Sequence, residues 1–483
     1  MKLLFTHSYF RQFDPKQVAH AQPYPPLGTI LAAAYMRDQG YDVRLFDTMF
    51  CSSADELLPV LIEFKPDALV IYDDGFNYLT KMCLSNMREA AFKMQKHALN
   101  HNCKVIVTSS DASDHAEKYL NNGAHFVITG EAEHTLLHLI NAFKKGETGF
   151  ENIRGLVFNS NGSFIKTPGR VLSKNLDEFP LPAWDLVNIE PYKNVWLQKH
   201  GYFSINVATT RGCPYKCNWC AKPIYGNAYN IRSPEHVISE LKLLKKLFNF
   251  DHVWFCDDIF GLKRSWVHQF AGLIKKENLQ FKYKIQSRAD LLVQEKYVED
   301  LAVSGCNDVW MGAESGSQKI LDAMDKGTTI EEIKQARRLL KTHGIKASFF
   351  LQFGYPGEEM EDIRKTIDLL IETMPDDIGI SVSYPLPGTG FYERVKHELT
   401  NKTNWTDSDE LALMFVSAYS PAFYKHLHHY VHRLFRQKKA LAVIRELKPS
   451  AIKKLTLFPY YILSARKSLA ALRKTEPGRP VDL

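Results

Sequence analysis

Strand-length apolar runs alternate with stretches of helical apolar spacing through the first 145 residues. Residues 2–6 (KLLFT) form one such run. Leu27, Ile30, Leu31, Ala34 and Tyr35 then share a helical face, and Gly40 stops that helix before a second run at 42–46. Further runs lie at 68–72, 104–108 and 126–129, with helical stretches between them. This alternation predicts an α/β domain built on a doubly wound parallel sheet, whose ligands sit beyond the carboxyl ends of the strands. Those ends are Pro25-Pro26-Leu27-Gly28, Asp73-Asp74-Gly75, Ser109-Ser110 and Gly130-Glu131.

Residues 146–198 break the pattern and read as a connector. Two short runs flank Asn161-Gly162, a hairpin signal, and the proline-rich stretch 179–184 predicts a non-helical crossing. From 199 to 401 strand and helix alternate again, with six strand runs at 204–209, 253–256, 283–286, 308–311, 346–352 and 379–383. Residues 402–483 are expected to be helical and basic.

At 483 residues the chain exceeds one growing core, so two or three domains are expected. No window reaches the roughly 18 uninterrupted apolar residues of a membrane-spanning helix, and the first apolar run is too short for a signal peptide. A cytoplasmic location is expected. The net charge of +7 is uneven. From Pro421 onward there are 14 Lys or Arg against 3 Asp or Glu, so this segment carries +11 while the first 420 residues carry −4. Any bulk attraction for an anion lies in the tail.

The chemistry concentrates in 208–222, ATTRGCPYKCNWCAK, where Cys213, Cys217 and Cys220 form a C-x3-C-x2-C array. Three thiolates on a short loop can hold three irons of a four-iron cluster and leave the fourth open to an exogenous ligand. A structural zinc site wants four closed ligands, and no fourth Cys or His lies nearby except His200, across a strand. Cys51, Cys83, Cys103, Cys256 and Cys306 are scattered singly and are expected to be reduced, buried thiols.

This array, with Arg211-Gly212 before it, Tyr215 within it and Trp219 ahead of its last cysteine, resembles the signature of the radical S-adenosylmethionine (SAM) superfamily. The resemblance implies a partial (β/α)6 barrel over 199–401, a 4Fe-4S cluster on the three cysteines, and SAM on the open iron. It implies that Asp257 or Asp258 meets the SAM amino group, that Arg288 grips its carboxylate, and that Glu314 and Ser315 face the ribose, with Trp219 at the cofactor. The usual Gly-Gly-Glu is missing. The first domain is similar to the cobalamin-binding domain that precedes the core in many such enzymes, through its PPLG, GYDVRLFD and GEAE segments. That likeness puts Pro26, Leu27, Gly28, Ser109, Ser110, Gly130 and Glu131 at the cobalamin. No D-x-H-x-x-G is present, so cobalamin is expected without a lower histidine.

What the resemblance implies is reductive cleavage of SAM to a 5′-deoxyadenosyl radical and modification of an unactivated carbon by methyl transfer. The alternative is a radical cyclase or oxidoreductase similar to the anaerobic Mg-protoporphyrin monomethyl ester cyclase, which the pattern W-x-D-S-D-E-L-x-x-M-F at 405–415 resembles somewhat. A non-catalytic cobalamin or redox sensor is the remaining class. The expected partners are a small-molecule or lipid-like substrate and an electron donor such as flavodoxin or ferredoxin, with no nucleic acid. In the tail, His426, His428, His429 and His432 invite a metal reading, though a basic aromatic helix face also explains them. Ile462, Ala465, Leu469 and Leu472 share a face that packs onto the protein or, as a second use, makes a peripheral membrane contact.

Overall fold

The computed structural model describes residues 1–399, 402–445, 451–476, 481 and 483, with the side chains of Arg445 and 451–454 outside the description. The expected boundary at 401 therefore lies outside the described residues. The chain divides into two compact units. One comprises Met1–Tyr215, Ala221–Ile285 and Asn404–Glu410; the other comprises Lys216–Cys220, Gln286–Thr403 and Leu411–Leu483.

In the first unit, strands β1 (Lys2–Thr6), β2 (Asp42–Phe46), β3 (Ala68–Tyr72), β4 (Lys104–Thr108) and β5 (Phe126–Ile128) are parallel in the order β2-β1-β3-β4-β5. The alternation along each strand decides both faces. Leu4, Leu69, Ile71, Val105 and Val107 pack with Leu57, Leu61 and Met94 on one side. Leu3, Phe5, Val70, Ile106 and Ile128 pack with Ala33, Met36, Leu136 and Leu139 on the other. Helices on both faces make this the expected doubly wound sheet, with its topological switch between β1 and β3.

The Asn-Gly hairpin forms as β6 (Leu156–Ser160) and β7 (Ser163–Lys166), with Asn161 and Gly162 both at positive φ (51° and 83°). It extends the sheet through antiparallel pairing of β6 with β5.

The same unit holds β8 (Ser204–Val207), a two-stranded ribbon of β9 (Thr210–Arg211) and β10 (Asn230–Ile231), β11 (His252–Phe255) and the start of β12 (Lys282–Ser287), with β8, β11 and β12 parallel. In the second unit β13 (Cys306–Glu314), β14 (Lys346–Phe353) and β15 (Asp377–Val382) are parallel, each followed by a helix. All six strands expected after residue 200 are present. The helix after β10, Pro234–Phe248, begins where the Ser233 hydroxyl accepts from His236 N.

The tail is helical over Pro421–Arg445 and Ala451–Arg473, but 402–420 is not. There the polar side chains satisfy the backbone instead. Glu410 accepts from Thr406 N at 2.6 Å, Asp407 from Asp409 N at 2.9 Å, and Asp14 from Ser408 N at 3.2 Å.

Candidate functional site

The loops beyond β1, β3, β4 and β5 come together at one edge of the first sheet. Asp74 accepts from the backbone N–H groups of Leu27 (3.1 Å), Gly28 (3.0 Å) and Phe76 (3.0 Å), so it caps the helix Leu27–Asp38 that Pro26 opens. Gly28 fits closely there, since a Cβ would stand 3.0 Å from an Asp74 oxygen and 3.3 Å from its Cα. Asp73 accepts from Ser8 N (2.6 Å) and Ser8 Oγ (2.8 Å). Burial pushes both carboxyls above the ordinary range against these bonds. Ser109 caps the following short helix, accepting from Ala112 N at 2.8 Å, while the buried Ser110 hydroxyl has no partner.

The segment after the cysteines lies on this edge. A Cβ on Gly75 would touch Tyr225 and Ile224 at 3.6 and 3.8 Å, one on Gly130 would touch Ile224 O at 3.7 Å, and Phe76 stacks on Tyr225. Glu131 and Glu133, beyond β5, share Arg211: Nη1 donates to Glu131 at 2.5 Å and Nη2 to Glu133 at 2.7 Å. Phe179 of the proline-rich crossing and Tyr225 lie against the guanidinium at 4.4 and 5.3 Å. Glu131 also accepts from Ser173 N at 2.7 Å, while the second oxygen of Glu133 is buried without a partner.

Between Arg211 and Cys213, Gly212 sits at φ +82°, where a Cβ would overlap Ala228 O. Cys213 itself is buried, with Lys222 Nζ donating to its carbonyl at 3.2 Å. Asp257 holds the approach to this loop. It accepts from Thr209 N (2.7 Å), Thr209 Oγ1 (2.6 Å) and Thr210 N (2.8 Å), and burial, opposed by those bonds, pushes it up to about 6. Asp258 pairs with Lys81 at 2.6 Å. Both carboxylates expected at a SAM amino group are thus engaged with the protein's own groups.

In the second unit Asn218 anchors the middle of the array. Its Nδ2 donates to Ala323 O (2.7 Å) and Asp325 (2.8 Å), its Oδ1 accepts from Tyr355 OH (2.6 Å), and its backbone N–H and C=O bond to Met324 O (3.0 Å) and Phe391 N (2.8 Å). Cys220 N donates to Cys217 O at 3.1 Å. Arg288 Nη1 lies 3.9 Å from the Cys217 sulfur, while Nε reaches Asp290 (3.0 Å) and Nη2 reaches Lys326 O (2.9 Å). Lys326 Nζ donates to buried Glu314 at 2.7 Å and sits 5.9 Å over the Trp219 ring, whose indole N–H is shut from solvent with no partner. Ser315 turns away to Thr366 Oγ1 at 3.1 Å.

The second unit therefore gathers Cys217, Trp219, Arg288 and Glu314 around Lys326 and leaves Ser315 outside. Lys326 and Asn218 had no signal in the sequence beyond their charge and their place in the array. None of the eight cysteines is in a disulfide. Among the described residues no group of three or more His, Cys, Asp or Glu is already drawn together as a metal site.

Residues 207–370 match the Radical SAM superfamily, and the chain carries that domain. It is 28% identical over 386 residues to an uncharacterised methyltransferase of Pyrococcus horikoshii, covering 79% of this chain and 81% of that protein. It is 24% identical over 403 residues to the anaerobic magnesium-protoporphyrin IX monomethyl ester cyclase of Rubrivivax gelatinosus, covering 82% and 70%. In fold it is similar to the cobalamin-dependent S-adenosylmethionine radical enzyme OxsB, solved with aqua-cobalamin bound, at a TM-score of 0.75 and 16% identity over 99% of this chain and 74% of that one.

Proposed function

We propose that this chain is a cobalamin-dependent radical SAM enzyme that methylates an unactivated carbon of a small-molecule or lipid-like substrate. The observation that carries the reading is the C-x3-C-x2-C array, without a disulfide, inside the span that matches the Radical SAM superfamily, trailed by a loop that lies on the proposed cobalamin edge of the first sheet. When bound, the cluster supplies the electron, SAM the radical and the methyl group, and cobalamin the methyl carrier.

The donor set fits those groups. Cys213, Cys217 and Cys220 would hold three irons, and the Arg288 guanidinium lies 3.9 Å from the Cys217 sulfur. Trp219 Nε1 and Ser110 Oγ are buried donors in want of an acceptor. Lys326 keeps Glu314 neutralised beside Trp219. At the sheet edge both nitrogens of His7 are committed, Nε2 to Asp47 at 2.9 Å and Nδ1 to Thr48 Oγ1 at 3.1 Å, which supports cobalamin without a lower histidine. The chain's own part is to fix these groups and exclude water. A flavodoxin or ferredoxin would supply the electron, in the cytoplasm, and the basic tail would touch a membrane surface.

A radical cyclase is the second reading, favoured by the cyclase relative and by the W-x-D-S-D-E-L-x-x-M-F segment, where buried Trp405 accepts from Ser85 N at 2.9 Å. Anaerobic reconstitution with iron, sulfide, cobalamin, SAM and dithionite tests both. Methyl transfer yields S-adenosylhomocysteine alongside 5′-deoxyadenosine, whereas cyclisation yields 5′-deoxyadenosine alone. Absence of both products would overturn the enzyme reading.

A further inference from the structure

The helix Ala451–Arg473 has two apolar faces, and only one is covered. Ala465, Ser468 and Leu472 are buried, and Ile462 and Leu469 half-buried, so the face expected either to pack or to meet a membrane is the packed one. The Arg433 guanidinium of the helix Pro421–Arg445 donates to Ser468 on it. Winding away from that face, Leu455, Pro459 and Leu463 follow one another at four-residue spacing, with Tyr460 beside them. Leu455 is 59% exposed, Tyr460 65% and Leu463 65%. A turn further on, the exposed Arg466 and Lys467 continue the same side.

Across both helices, residues 421–445 and 451–473, there is no Asp or Glu, while the sequence places Lys425, Arg433, Arg436, Lys438, Lys439 and Arg445 on the first and Lys453, Lys454, Arg466, Lys467 and Arg473 on the second. A purely polar docking partner would leave the Leu455–Leu463 stripe in water, and an apolar protein groove would have no use for unopposed positive charge. An anionic bilayer surface meets both features, because leucines enter the acyl boundary, tyrosine sits at the headgroups, and lysine and arginine face the lipid phosphates. No helix among the described residues is long and apolar enough to cross a membrane. We infer that the exposed stripe of Leu455, Tyr460 and Leu463, with Arg466 and Lys467, lays this helix on the surface of an anionic phospholipid membrane. This placement stands on the tail alone and does not depend on the cofactor reading.

The test is flotation of the full chain with vesicles of phosphatidylcholine containing roughly one third phosphatidylglycerol, at about 0.05 M and about 0.5 M salt, against pure phosphatidylcholine. Binding is expected to the anionic vesicles at low salt and to fade at high salt. Arg466→Gln with Lys467→Gln should weaken it about fivefold for each charge removed, and Tyr460→Glu with Leu463→Glu should weaken it at least tenfold. Far-ultraviolet circular dichroism confirms that the exposed-face variants stay folded. Three results would overturn the proposal: no flotation of the wild type at low salt, undiminished flotation of Tyr460→Glu/Leu463→Glu, or a vesicle-free dimer in sedimentation velocity that the same double variant dissolves. Equal retention on a nucleic-acid column by wild type and that variant, without flotation, would reassign the charge to nucleic acid.

Discussion

Arg211 and Glu131 form a buried ion pair, Nη1 to Oε1 at 2.5 Å, that ties the residue two before the first array cysteine to the end of β5, eighty positions earlier. With Glu133 the guanidinium answers two carboxylates from one side chain, a fork that lysine cannot reproduce. Arg211→Met should cost about 3–5 kcal/mol, because it strands two buried charges. Arg211→Met/Glu131→Gln/Glu133→Gln should recover much of that loss. Urea unfolding of the full chain compares them.

Cys217→Ala should lose iron on anaerobic reconstitution, together with the cluster absorbance and SAM cleavage. Cys256→Ala, which alters a buried thiol outside the array, should keep all three. Iron and sulfide per chain is the measurement. A full complement in Cys217→Ala would refute the cluster assignment.

Asp257 is a clamp made of three acceptor contacts, so asparagine can keep two of them through its carbonyl and turn its amide to the Thr209 hydroxyl. Asp257→Asn should unfold at a urea concentration close to that of wild type, and Asp257→Ala should lose about 1–3 kcal/mol. The pH dependence has a definite sign. A carboxyl raised from 3.8 to about 6 binds its proton more tightly when folded, so its contribution is present below pH 4 and is lost as pH climbs through 6. Asp257→Asn should lack that decline.

Glu358 carries the same logic across neutral pH. It is buried behind β14, accepts from Gly354 N at 2.7 Å with its other oxygen unpartnered, and burial pushes it up to about 8. Wild type should therefore lose about 1.4 kcal/mol per pH unit between 4.5 and about 8, where the folded chain still holds a proton that the unfolded chain has released. Glu358→Gln should flatten that slope in urea titrations between pH 5 and about 8.

The cob(II)alamin form of the loaded protein should show no nitrogen superhyperfine splitting in paramagnetic resonance, since the cobalt is expected without a protein histidine. Splitting from a protein nitrogen would refute this expectation.

The strands were legible because apolar alternation is local: β1 to β4 fall where their runs do, and Asn161-Gly162 makes the turn its dipeptide requires. The cysteine array was legible because its spacing is chemistry. What the sequence hid is pairing over distance. Nothing local says that Glu131 serves Arg211, that Asp257 serves Thr209 and Thr210, or that Lys326 comes to Glu314 and Trp219. The stretch 402–420 misled for the opposite reason, since its Asp, Glu and Ser side chains bond backbone groups that a helix would have used.

Asn218 has to remain an amide for the array to keep its seat. Its amide donates to Ala323 O and to the Asp325 carboxylate while its carbonyl takes the Tyr355 hydroxyl, so every side-chain atom is matched to one identity. Deamidation would put an oxygen where a donor stands, against a carbonyl and a second negative charge, and would do so between Cys217 and Trp219. Ageing at that one amide would unseat the loop while leaving all three thiols intact, so a stored preparation could fail to load iron with no oxidised cysteine to show for it.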